Sequence, residues 1–155
     1  YAGAEGLRRG GYVLADSSGG LPELILIATG SEIHPALEAF EKLRAEGRRV
    51  RLVNLASWEI FERQPRPYRE EVLPPGVRAR LSVEAAATQG WEKYTGGAGK
   101  ALGIDRFGAS APGKVLLEKF GFTAENIYRE AIILLDELNA AEPQPRAELD
   151  TEERG

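Results

Sequence analysis

At 155 residues, with 43% hydrophobic side chains, the chain suits one domain with a proper core and is not a disordered protein. The absence of cysteine excludes disulfides, thiol catalysis and cysteine-bound zinc, and a lone histidine, His34, excludes multi-histidine metal sites. A net charge of −4 gives no general attraction to nucleic acid or to an anionic membrane, and no apolar run approaches the length of a bilayer span.

The charge is unevenly placed. From Asn139 to Gly155 there are five acids against Arg146 and Arg154, so this segment is expected to be a disordered acidic tail and the remainder is close to neutral. The chain also begins at Tyr1 and contains no methionine, which leads us to expect a fragment or a processed piece.

Residues 1–10 are glycine-rich and read as a linker, followed by a short edge strand at Tyr12–Ala15. Leu24–Ala28 is a continuous apolar run, the pattern of a strand buried on both faces of a parallel sheet. Thr29-Gly30-Ser31 turns the chain, with Ser31 expected to cap a helix carrying Ile33, Ala36, Leu37, Phe40 and Leu43 at helical spacing; Gly47 stops it. Pro35 suggests a start at His34, with the proline in the first position. Val50–Leu55 is the next strand, completing a β-α-β unit with parallel pairing.

Ser57 opens a short helix that Pro65 and Pro67 break, and Tyr68–Leu73 adds another turn or two before Pro74-Pro75-Gly76. Arg80–Ala85 reads as a third core strand, Gly90–Tyr94 as a short helix and Leu102–Phe107 as a fourth strand. Val115–Phe120 suggests a two-turn helix. Thr123 then caps a final helix that places Ile127, Ala131, Leu134, Leu135 and Leu138 on one face.

Gly108, Gly113 and Lys114 match G-x-x-x-x-G-K, the spacing of a loop whose backbone N–H groups cradle phosphate. Val115 stands where a hydroxyl would hold magnesium, and Pro112 removes a donor, so nucleotide binding is disfavoured there. The turn after Leu24–Ala28 lacks the dinucleotide glycine fingerprint, since Gly30 is its only glycine. Ile132-Ile133-Leu134-Leu135-Asp136 mimics the acid-terminated strand of a nucleotide hydrolase but follows a helical period. His34 has no acid or nucleophile paired with it by motif and reads as structural or solvent-facing.

Glu84 ends a strand, where a carboxylate in an open α/β sheet can be functional, although pairing with an arginine is the plainer role. Trp58 and Trp91 suit core packing or a subunit contact equally. Arg48, Arg49 and Arg51 read as the polar face of a strand and its lead-in. Taken alone, these residues describe a soluble α/β domain with no self-contained active site.

Several blocks in order carry a resemblance. Gly11–Leu14, Leu24–Glu32, Ser57–Phe61, Tyr68–Glu70, Val72–Pro74, Val83–Ala85, Gly90–Tyr94, Gly103–Lys114 and Phe120–Thr123 together resemble the C-terminal domain of transketolases. The resemblance covers about Gly10 to Leu138. It implies a domain over 11–138 with three α/β/α layers and a mostly parallel five-stranded sheet bearing one antiparallel edge strand. It further implies a cytoplasmic, homodimeric parent enzyme that uses thiamine diphosphate and a divalent metal, Mg or Ca, to move a two-carbon ketol unit between sugar phosphates.

The motifs for that chemistry lie in the family's two preceding domains and match nothing here, so no catalytic, cofactor-binding or metal residue carries over. A structural role with dimer contacts is the expectation, and Glu84, Trp91, Ser110, Gly113 and Lys114 stand as candidate anion or interface residues. The alternatives are an anion- or nucleotide-binding regulatory module built on the Gly108–Lys114 loop, and the equivalent domain of another thiamine-diphosphate enzyme.

Overall fold

A computed structural model describes residues 4–84, 92–102 and 123–141. Five strands form one sheet in the order β1-β3-β2-β4-β5: β1 (Gly11–Asp16), β2 (Leu24–Ala28), β3 (Val50–Leu55), β4 (Arg80–Val83) and β5 (Lys100–Leu102). β1 runs antiparallel to β3 at one edge, and the other pairings are parallel. The helices are α1 (Ile33–Ala45), α2 (Trp58–Glu62), α3 (Arg66–Val72), α4 (Glu92–Thr95) and α5 (Ala124–Ala141).

Side-chain alternation along the central strands builds the layers. Leu24, Leu26 and Ala28 of β2, with Leu52, Leu81 and Val83, pack beneath α1 and α5. Ile25 and Ile27 point the other way and join Val53, Leu55, Phe61 and Val72 under α2 and α3. Both faces of β2 are therefore buried, which is why its sequence is uniformly apolar. The three-layer α/β/α reading and the antiparallel edge strand are both observed.

Each helix end has a local cause. α1 begins at Ile33 with Glu32 at its N-cap, so Pro35 falls in the first turn, where its missing N–H costs no intrahelical bond. Ser31 does not cap α1. It sits inside a single-turn 3-10 helix, Gly30–Glu32, and its hydroxyl donates to Glu32 Oε2 at 2.9 Å. Gly47 follows the end of α1 with φ +84°, a conformation that suits glycine, and its N–H reaches Arg44 O at 2.9 Å.

Ser57 does cap α2, accepting from Ile60 N at 3.2 Å. α3 starts at Arg66, so Pro67 lies in its first turn and opens the helix instead of breaking it. Thr123 Oγ1 accepts from Asn126 N at 3.1 Å and starts α5, in which Ile127, Ala131, Leu134 and Leu135 are buried. That helix runs past Leu138 to Ala141. Alanines favour its continuation, and Pro143 disfavours helical backbone in the residue before it.

Two further details differ from the sequence reading. Residues Ala4–Arg9, within the stretch read as a linker, form a 3-10 helix leading into β1. The fifth strand begins at Lys100, ahead of the expected Leu102–Phe107, and the residues after Leu102 lie outside those described. The expected helix at Val115–Phe120 lies outside them as well.

Candidate functional site

β2 lies at the centre of the sheet, paired in parallel with β3 on one side and β4 on the other. From β2 the chain goes through α1 to β3; from β3 it crosses by way of α2 and α3 to β4. The connections leaving β2 and β4 therefore diverge. In open parallel sheets a crevice forms at such a reversal, beyond the carboxyl ends of the strands.

Two carboxylates occupy this position: Glu32, in the 3-10 turn after β2, and Glu84, directly after β4. Glu32 is only 3% exposed and accepts from the Ser31 hydroxyl. Glu84 extends the β4–β5 ladder through its backbone N–H, which donates to Leu102 O at 3.1 Å. Its Oε1 is shut off from solvent and has no hydrogen-bond partner among the described residues. Burial pushes the Glu84 carboxyl above the ordinary carboxylate range, and the negative charge of Glu32 pushes it further the same way.

The pair suits a donor group, a cation or a held proton, and it repels an anion. A thiamine diphosphate bound through a divalent ion needs converging oxygen or nitrogen ligands, and no group of three or more His, Asp or Glu side chains is so arranged among the described residues. This part of the chain does not fit that cofactor.

The opposite face holds a cavity of about 260 Å³ lined by Arg69, Arg80, Lys93 and Tyr94. Two of its cations hold structural contacts. Arg69 donates to Gln64 O at 3.0 Å and lies 3.7 Å from Glu62. Arg80 donates to the carbonyls of Pro74 (2.6 Å), Tyr94 (2.7 Å), Val77 (2.9 Å) and Leu73 (3.3 Å), and burial lowers its pKa. The Tyr94 hydroxyl donates to Glu62 Oε2 at 2.9 Å; burial and that bond both hold its proton more tightly than usual. Trp58 meets the Tyr94 ring edge-on at 5.3 Å, so it serves the core of that layer.

The model for the transketolase-like TK C-terminal domain matches residues 10–123. The chain belongs to the transketolase C-terminal domain family. It is 49% identical over 131 residues to a transketolase of Geobacillus stearothermophilus, covering 84% of this chain and 20% of that protein. It is 54% identical over 127 residues to one from a Nostoc species, covering 82% and 19%. Among solved structures, transketolase from Leishmania mexicana superposes with a TM-score of 0.78 at 38% identity, covering 96% of this chain and 21% of that one. The chain thus spans about a fifth of the length of these transketolases.

Of the candidate site residues, Glu84 lies directly after β4 at the carboxyl end of the parallel strands, whereas Trp91, Ser110, Gly113 and Lys114 lie outside the described residues with the rest of the Gly108–Lys114 loop. His34 points into solvent, its side chain 82% exposed and Nε2 3.4 Å from Glu38 Oε2 on the next turn. Sequence reasoning missed Glu32. An acid in the turn after a fully buried strand was the available signal, and Ser31 beside it drew attention as a cap. It also missed Arg51, taken for the polar face of β3. Arg51 is buried and paired with Asp16 at 2.9 Å.

Proposed function

We propose that this chain is the C-terminal domain of a transketolase that transfers a two-carbon ketol unit between sugar phosphates, and that it serves the assembly of that enzyme without holding its reacting atoms. One observation carries the reading: the family match over residues 10–123, in a chain about a fifth as long as the transketolases it resembles. The domain proper would span residues 11–138, following the linker of residues 1–10, with an acidic tail from Asn139. Thiamine diphosphate and a divalent metal would be held by the two domains that precede it in the parent, a cytoplasmic homodimer.

The charge at the crevice supports this division, because Glu32 and Glu84 would oppose a diphosphate or a sugar phosphate. What the chain's own residues contribute is a rigid sheet whose layers are closed by apolar contact on both faces.

The test is ketol transfer from a ketose phosphate to an aldose phosphate, with thiamine diphosphate and magnesium present. The 155-residue chain alone is expected to give none, and the parent enzyme to lose dimer stability when this domain is deleted. Turnover by the isolated chain would overturn the reading.

A further inference from the structure

The amino ends of the parallel strands carry the opposite charge to their carboxyl ends. There a groove of about 240 Å³ opens between the Leu21–Glu23 turn, the Gly76–Ala79 segment and the last turns of α5. Leu21, Leu135 and Leu138 form an apolar strip in an otherwise largely polar lining, and Arg49 and Arg78 stand exposed beside them. Leu21 is 58% exposed, so its side chain is open to an occupant of the groove.

Glu23, the acid of the lining, is already engaged: it accepts from Arg49 N at 2.9 Å and lies 3.6 Å from Arg48. The Arg49 guanidinium donates to Leu21 O at 3.0 Å and meets no carboxylate among the described residues.

We propose that this groove receives the acidic C-terminal segment of the same chain. Three features select that occupant. The segment starts at the groove, since Leu138 and Asn139 line it and α5 ends at Ala141. Its charge is complementary, with five acids against two arginines from Asn139 onward. Its one large aliphatic residue, Leu149, sits between Glu148 and Asp150, which matches the strip of Leu21, Leu135 and Leu138 with Arg49 and Arg78 beside it. Leu149 follows Ala141 by eight residues, enough chain to turn back from the end of α5 to the groove beside it. Docking there covers Leu21 and caps the amino ends of the sheet. The inference stands apart from the ketol-transfer reading.

Because the chain has no cysteine, Thr151→Cys gives a single attachment point for a nitroxide label. In the isotopically labelled 155-residue chain at low salt, the amide signals of Leu21, Gly76 and Arg78 should be lost to paramagnetic broadening. They should return in Glu148→Lys/Asp150→Lys, which leaves the folded core untouched, in Arg49→Glu/Arg78→Glu, and at about 1 M salt, where the Debye length falls to about 3 Å. Unbroadened signals at the groove overturn the proposal, as does broadening that survives reversal of the tail charges. Broadening that appears only between spin-labelled and separately isotope-labelled chains overturns it too, because the occupant is then a second copy.

Discussion

Arg51→Ala should be among the most damaging single substitutions in this domain. Arg51 lies on β3 opposite Asp16 of the edge strand β1, and is 7% exposed. Its Nε and Nη2 both sit 2.9 Å from Asp16 Oδ2. Nη1 donates to the carbonyls of Glu71 (2.8 Å) and Val72 (3.2 Å) at the end of α3, and Nη2 to Gly20 O at 3.1 Å. One side chain thus fastens the edge strand, the turn after it and a helix end, where a cation also meets the helix dipole favourably. Its removal leaves Asp16 without its cation and takes a donor from three carbonyls, of which Gly20 O keeps the Ser18 hydroxyl at 3.0 Å.

Breaking a buried pair from one side costs about 3–5 kcal/mol, and the 26% exposure of the Asp16 side chain places this case near about 3. For a domain of this size each kcal/mol moves Tm by about 2–4 °C, so the expected fall is roughly 6–12 °C. Differential scanning calorimetry and urea titration of wild type, Arg51→Ala, Asp16→Asn and the double variant measure both the loss and the coupling. A coupling below about 0.5 kcal/mol would place Arg51 outside any network with Asp16 and refute the reasoning.

Glu84→Gln should stabilise the domain at neutral pH. The folded-state pKa of Glu84 is raised, so its stability contribution is fully present below the unfolded pKa and lost as pH rises through the folded value; the glutamine should flatten that part of the Tm–pH curve, and an unchanged slope would count against it. Ile127→Ala, which empties a fully buried site between α5 and the sheet, should cost about 2–5 kcal/mol by urea titration, and a loss under about 1 kcal/mol would contradict the packing. Ser57→Ala and Thr123→Ala each remove a helix cap and should cost about 1 kcal/mol, with glycine at either position costing less than alanine.

The parts of this fold that could be read from sequence are those in which one residue run is enough. β2 announces itself because a strand buried on both faces is continuously apolar, and its observed bounds, Leu24–Ala28, are that run; β3 (Val50–Leu55) is legible from Val50, Leu52, Val53 and Leu55 in spite of Arg51 and Asn54. α5 is legible from the spacing of its buried residues and from Thr123. β5 is not. Lys100-Ala101-Leu102 is too short to show alternation, and the glycines before it read as loop. The arginines mislead for a different reason. Arg51 is buried and Arg80 partly buried because carbonyls from α3 and from the loops around it converge on them, and no local pattern records where those carbonyls end up. Glu84 was legible as an acid at a strand end, but its partner Glu32 comes close only through the pairing of β2 with β4.

The carboxylates at the crevice and the arginines of the core show two ways of holding charge in a small domain. Arg51 and Arg80 lose solvation and are compensated by several carbonyls each and, for Arg51, by a carboxylate, although burial still lowers the Arg80 pKa. Those contacts tie separate elements together, so the arginines belong to stability. Glu84 loses solvation, faces a second acid and leaves Oε1 without a partner among the described residues, so its charge opposes folding. Glu84 stands where the connections leaving the parallel strands diverge, and its carboxylate sets the sign of what it can meet: a donor or a cation. That sign is complementary to a basic or donor group and opposed to an anion.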